Sequence, residues 1–167
     1  MAGQTVGAWS TTTVNGVMVA TCTAYTDATN EINYTNRTED WLDTSKPWSL
    51  VVSADAAQDG AAAPLMIWGG FAKNFAISGT TARATATNGV QLGELTDDLG
   101  YAAAVAGMSF NITPGSSGLA NIVTIAAVAT GMRFNLAVMP YYAFELMADN
   151  AATLLEHTLT FKIIQKR

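Results

Sequence analysis

Charge is scarce in this chain: Asp, Glu, Lys and Arg make up 13% of its 167 residues, against about 25% in a typical soluble domain. The eight basic residues are scattered singly apart from Lys166 and Arg167, so nothing tracks a phosphate backbone and nucleic-acid binding is excluded as an expectation. Cysteine and histidine occur once each, as Cys22 and His157. A single cysteine excludes an internal disulfide, and the pair cannot supply a zinc site, which takes three or four protein ligands. The longest uncharged internal stretch, Leu99 to Met132, is interrupted by Gly100, Gly107, Pro114, Gly115, Gly118 and Gly131. Its apolar pieces fall short of the roughly 20 residues that span a bilayer, so no membrane is expected. Residues 1 to 26 carry no charge and lack the basic start of a signal peptide, and they read as part of the fold.

What remains is 29 alanines, 22 threonines and a net charge of −5. A surface built from Thr, Asn, Ser, Gly and small apolar residues loses little charge hydration when other protein covers it. The length suits one domain over residues 1–167 that buries roughly 70% of its unfolded surface. Its hydrophobic period is two, or its apolar runs are short and continuous, with no convincing helical period beyond two turns. The fold class is therefore all-β, a sandwich or jelly-roll-like arrangement of several antiparallel hairpins with little helix.

Two Asn-Gly pairs between strand-like runs mark hairpins, because a type I′ turn needs positive φ at both central residues. The first joins Ala8–Val14 to Val17–Tyr25 and sets Trp9 opposite Cys22, Thr11 opposite Ala20 and Thr13 opposite Met18, with that face toward the core. The second joins Thr81–Thr87 to Val90–Leu95 and sets Arg83 opposite Glu94 and Thr85 opposite Leu92. Further strands are expected at Trp48–Ala54, Leu65–Phe71, Asn74–Ser78, Ala102–Ile112, Leu119–Ala129, Met132–Met139, Tyr141–Met147 and His157–Gln165. Residues 26–46 differ, holding Asp27, Glu31, Glu39, Asp40 and Asp43 against Arg37 and Lys46. They read as a solvated acidic excursion with a helical turn capped by Thr38.

No constellation specifies an enzyme. His157 shares its strand face with Leu159, Phe161 and Ile163 and reads as a structural histidine, and nothing in the spacing brings Cys22 to it as nucleophile to base. Asp27 and Glu31, with Asn30 and Asn33, are weak oxygen ligands for calcium, and Asp97-Asp98 are weaker, since neither group follows the twelve-residue calcium loop. No metal or other cofactor is expected. Gly115-Ser116-Ser117-Gly118 lacks the lysine of a phosphate-binding loop, and the sequons at Asn33, Asn36 and Asn111 are coincidences of a threonine-rich chain. Trp41, Trp48 and Trp68 with Tyr141 and Tyr142 could make a platform for a sugar ring. Trp48 and Trp68 read as core. Trp41, Leu42, Tyr141 and Tyr142, beside polar or proline-marked turns, read as partner contacts, the aromatics being enriched at interface hot spots.

In overall character, carried by pieces such as Trp48-Ser49-Leu50-Val51-Val52-Ser53-Ala54-Asp55 and the closing run His157–Gln165, the chain resembles the small virion proteins of tailed bacteriophages, and among them the capsid decoration or cement proteins. The resemblance has no diagnostic motif and transfers no residue. It implies β-rich subunits, commonly homotrimers, made in the bacterial cytoplasm and bound to the major capsid protein on the exterior of the expanded head, which they stabilise. A carbohydrate- or receptor-binding sandwich of a virion and a tail or filament subunit are the alternatives.

Overall fold

A computed structural model of the chain describes residues 6–26, 32–54, 65–79, 84–95, 108–112, 117–120, 122–124, 132–135, 138–147 and 157–167. Among them every regular element is a strand. The strands are β1 (Ser10–Val14), β2 (Val17–Thr26), β3 (Ile32–Tyr34), β4 (Trp48–Ala54), β5 (Leu65–Gly70), β6 (Ala76–Ser78) and β7 (Thr85–Thr87). There follow β8 (Gly89–Leu95), β9 (Met108–Ile112), β10 (Ser117–Ala120), β11 (Ile122–Thr124), β12 (Met132–Asn135), β13 (Tyr141–Met147) and β14 (His157–Lys166). Two six-stranded antiparallel sheets, ordered β1-β2-β14-β4-β9-β11 and β10-β12-β8-β5-β13-β3, are joined by a two-stranded sheet, β6-β7.

Period-two alternation puts one face of each sheet into a shared core. From the first sheet come Met18, Ala20, Cys22 and Ala24 of β2, Trp48, Leu50 and Val52 of β4, and Phe161 and Ile163 of β14; from the second come Ile67, Leu92, Tyr142 and Phe144. Phe144 sits at the centre, its ring 5.8 Å from Trp48, 6.2 Å from Trp9 and 6.4 Å from Phe161. Each such fully buried aromatic stabilises the fold by about 1.5–3 kcal/mol. The second sheet is covered on its other face too. Met66, Trp68, Tyr141 and Ala143 pack beneath Phe75, Ile77 and Ala84, so β6-β7 forms a third layer over that half of the molecule.

The first hairpin has the expected register, with Thr11 opposite Ala20, Thr13 opposite Met18 and Val14 opposite Val17. Its turn has φ of 51° at Asn15 and 76° at Gly16, the type I′ signature. β4 and β13 occupy Trp48–Ala54 and Tyr141–Met147 as expected. Other stretches are corrected. Asn88-Gly89 closes no hairpin: β7 pairs with β6, placing Thr85 opposite Ser78, while β8 pairs with β5 and β12, placing Glu94 opposite Met66 and Arg133. Arg83 lies outside the described residues. Gly89 is set by packing instead, because a Cβ on it or on its partner Gly70 would overlap the Phe75 ring. The single strand expected over Leu119–Ala129 is two short ones, β10 and β11, in different sheets.

The acidic excursion is also corrected in part. β3 pairs with β13, and the chain continues along that edge, so that Thr35 and Thr38 are 1% and 0% exposed. Their backbone amides donate to Phe144 O and Tyr142 O at 2.9 and 2.7 Å. In return the amides of Phe144 and Tyr142 donate to the threonine hydroxyls at 3.1 and 2.9 Å. Two side-chain oxygens thus replace ladder carbonyls, which keeps buried amides satisfied where the backbone has left regular geometry. Thr38 is therefore a strand-edge acceptor rather than a helix cap, and a single turn, Leu42 N–H to Glu39 O at 3.1 Å, stands where the helical turn was expected.

Candidate contact surface

The loop that follows Thr38 is clamped to the C-terminal end of β14. Gln165, on the core-facing side of β14, accepts from Asp43 N–H at 3.0 Å and donates to Asp43 O at 2.8 Å. Arg167 donates to Trp41 O at 2.9 Å, and its own amide donates to Gly16 O at 2.8 Å, tying the loop to the first hairpin. Asp43 organises the loop tip by accepting from Ser45 Oγ at 2.6 Å and Ser45 N–H at 3.1 Å, with Lys46 Nζ at 2.9 Å. The Ser45 hydroxyl and then Lys46 hold its carboxyl down to about 2. Between loop and strand lies an open depression of about 290 Å³ lined by Asp40, Trp41, Asp43, Lys46, Gln165, Lys166 and Arg167.

Of the four expected contact residues, Trp41 is half-buried beside this depression, its ring 5.4 Å from that of Trp9. Leu42 is 4% exposed and belongs to the main core. Tyr141 and Tyr142 point to opposite faces of β13. Tyr142 is fully buried in the main core against Trp48, its hydroxyl accepting from Met139 N–H at 3.3 Å and its pKa raised by burial. Tyr141 lies in the second core beneath the Arg37 guanidinium, whose carbon is 4.5 Å from the ring centroid. Leu42, Tyr141 and Tyr142 thus serve the chain's own packing, and Trp41 alone of the four keeps substantial exposed surface.

Sequence reasoning overlooked Trp9 as the partner of Trp41. Trp9 donates from Nε1 to Asn36 O at 2.8 Å and packs on Trp41 and Phe144, so it bridges the edges of the two sheets. Its place directly before an uncharged hairpin was the available signal. Glu145 was overlooked too: fully buried, it accepts from Trp68 Nε1 and from Ala84 N–H, each at 2.8 Å, and fastens the third layer to β13. Arg37 lies 2.9 Å from the Glu39 carboxylate, close enough for an ion pair though not aligned as a hydrogen bond.

The other candidates separate. Cys22 is opposite Phe161, and His157, four residues before Phe161 on β14, is opposite Thr26, which puts the backbones of Cys22 and His157 about 14 Å apart. Burial pushes the Cys22 thiol up to about 11, and it donates to Gly7 O at 3.0 Å. Such a thiol is a poor nucleophile at neutral pH. The His157 side chain, Asp27, Glu31, Asp97 and Asp98 lie outside what the structure describes, and among the described residues there is no group of three or more potential metal ligands.

The remaining surface of note is the outer edge of β1. All five of its residues are exposed, on both faces of the strand, and Val14 is 59% exposed. Phe71, Val90 and Val138 are the other large apolar side chains exposed among the described residues.

No family model matches the chain, and no curated protein does. Two solved structures are similar to it. One is a carbohydrate esterase from the Shiga toxin-encoding bacteriophage phi24B, at 11% identity and a TM-score of 0.41 over 99% of this chain and 90% of that one. The other is a sialidase of Trypanosoma rangeli in complex with 2,3-difluorosialic acid, at 11% identity and a TM-score of 0.33 over 87% of this chain and 28% of that one. The chain therefore has a phage-encoded protein among its distant structural neighbours.

Proposed function

We propose that this chain is a non-catalytic structural subunit of a tailed-phage virion, of the capsid decoration kind, which binds the outside of the head and its own copies. The observation that carries the reading is the β1–β2 hairpin, whose outermost strand is exposed on both faces and bears no charge. A monomer at work in free solution protects such an edge with lysine, proline or a bulge. A lattice subunit uses it. Contacts of about 1,600 Å² in total hold a stable specific pair, and each subunit that touches several neighbours makes its later contacts at high effective concentration. A weakly charged surface reaches that area with little charge to desolvate.

A virion carbohydrate- or receptor-binding module is the second reading. It is favoured by Trp41 at the rim of a depression that also presents Asp40, Asp43, Lys46 and Arg167, an aromatic surface with convergent polar groups suited to a sugar ring. Quantitative mass spectrometry of purified virions distinguishes the readings. Hundreds of copies per particle are expected for decoration, a handful indicates a receptor binder, and absence from particles overturns both. Trp41→Ala is expected to keep the far-ultraviolet spectrum and to lower occupancy on heads. Full occupancy of that variant removes the loop from the contact surface, and a glycan-dependent rise in melting temperature that disappears with Trp41 favours the second reading.

A further inference from the structure

We infer that the outer edge of β1 is a self-complementary docking strand that pairs with β1 of a second copy of this chain across a two-fold axis. The inference does not rest on the virion reading, since it concerns how two free subunits meet.

The hairpin decides which backbone groups are available. With a type I′ turn at Asn15-Gly16, the flanking pair Val14 and Val17 exchange both of their hydrogen bonds, and bonded and non-bonded pairs alternate from there. Ser10, Thr12 and Val14 therefore turn their amides and carbonyls to β2. Thr11 and Thr13 turn theirs outward. These four groups have no strand partner among the described residues, in a strand that is exposed throughout. Lysine, proline and bulges, the usual guards of an edge, are all missing from Ser10-Thr11-Thr12-Thr13-Val14.

The sequence of the strand specifies the occupant. When two copies of β1 run antiparallel with Thr12 facing Thr12, Thr11 of each meets Thr13 of the other. The outward amides and carbonyls then form two complete bonded pairs, four hydrogen bonds in all. Ser10 faces Val14, and threonine faces threonine at the centre, a favourable cross-strand pair. A two-fold axis sets the group nearest to it beside its own copy, so a charge there would meet itself. Residues 1 to 26 carry none. The result joins two six-stranded sheets into one of twelve, an isologous contact. It produces dimers and even-numbered assemblies, and a three-fold contact between the same subunits would need a different patch.

The test uses the full chain in solution. Light scattering coupled to size exclusion is expected to give twice the monomer mass of 17.5 kDa for the wild type. Thr12→Lys and Thr12→Glu alter an exposed side chain and keep the far-ultraviolet spectrum. Each is expected to weaken self-association at least about tenfold through like charges on the axis, and an equimolar mixture of the two restores it. In the Thr12→Cys variant the opposed Cα atoms stand about 4.5 Å apart, within disulfide reach, so mild oxidation yields a covalent dimer. Ser10→Cys faces Val14 and does not crosslink, and native Cys22 is buried and unreactive in both. A wild type that stays monomeric at every concentration, an odd-numbered oligomer, a Thr12→Lys variant that associates normally, or equal crosslinking from Ser10→Cys overturns the inference. None of these outcomes bears on occupancy of virions, which is measured separately.

Discussion

Thr35 and Thr38 lie along the β13 edge of one sheet, and Thr11, Thr12 and Thr13 form most of the β1 edge of the other. Trp9 reaches from just before β1 to Asn36, so the two edges lie on the same side of the sandwich. At the β13 edge the threonines are buried and their hydroxyls accept from buried amides of β13. The charges sit between and just beyond them, Arg37 over the Tyr141 ring and Glu39 and Asp40 toward solvent. At the β1 edge the threonines are exposed, and no charge stands near them in sequence. One residue type thus closes one edge and leaves the other open. What differs is whether the backbone next to it still needs a partner inside the chain.

The comparison breaks first at the closed edge. Replacing Thr35 and Thr38 together by Val keeps volume and removes the two hydroxyls that accept from the buried amides of Phe144 and Tyr142. Each orphaned group costs about 1–3 kcal/mol, so urea unfolding of the double variant is expected to show a loss of about 2–6 kcal/mol, and a loss below about 1 kcal/mol would mean that the amides find other acceptors. A smaller effect comes from the turn that positions the open edge. Gly16 has φ of 76° with nothing within 4 Å of where a Cβ would stand, so Gly16→Ala costs only left-handed backbone strain, about 1 kcal/mol, read from the thermal midpoint. The smallest effect sharpens the contrast. Thr12→Val at the open edge is expected to change the stability of the dilute chain by no more than about 0.5 kcal/mol, although it makes the same chemical change as at the closed edge.

The all-β class and several strands were legible because period two and a strong turn signal act locally. Asn15-Gly16 fixed the first register residue by residue, and the run Trp48–Ala54 is the strand expected there, with Trp48 in the core. The same turn signal misled at Asn88-Gly89. There Gly89 answers to Phe75, fourteen residues earlier, which lies over Gly70 and Gly89 and admits no side chain at either. Tyr141 and Tyr142 were misplaced for a related reason. Adjacent strand residues face opposite ways, and only the β6-β7 layer decides that the outward face of β13 is covered as well. Polar composition made residues 32–38 look solvated, whereas a threonine hydroxyl can stand in for a ladder carbonyl once a strand edge is beside it.

By itself, then, the sequence determined the antiparallel class, the first hairpin and the uncharged character of its outer strand, because these depend on neighbours in the chain and on which residue types are missing. Tertiary structure alone decided which threonines are acceptors and which are exposed, that both faces of β13 are covered, and that Trp9 and Trp41 meet. Those outcomes depend on backbone groups brought together from distant parts of the chain, and a buried amide takes whichever acceptor the fold places within about 3 Å of it.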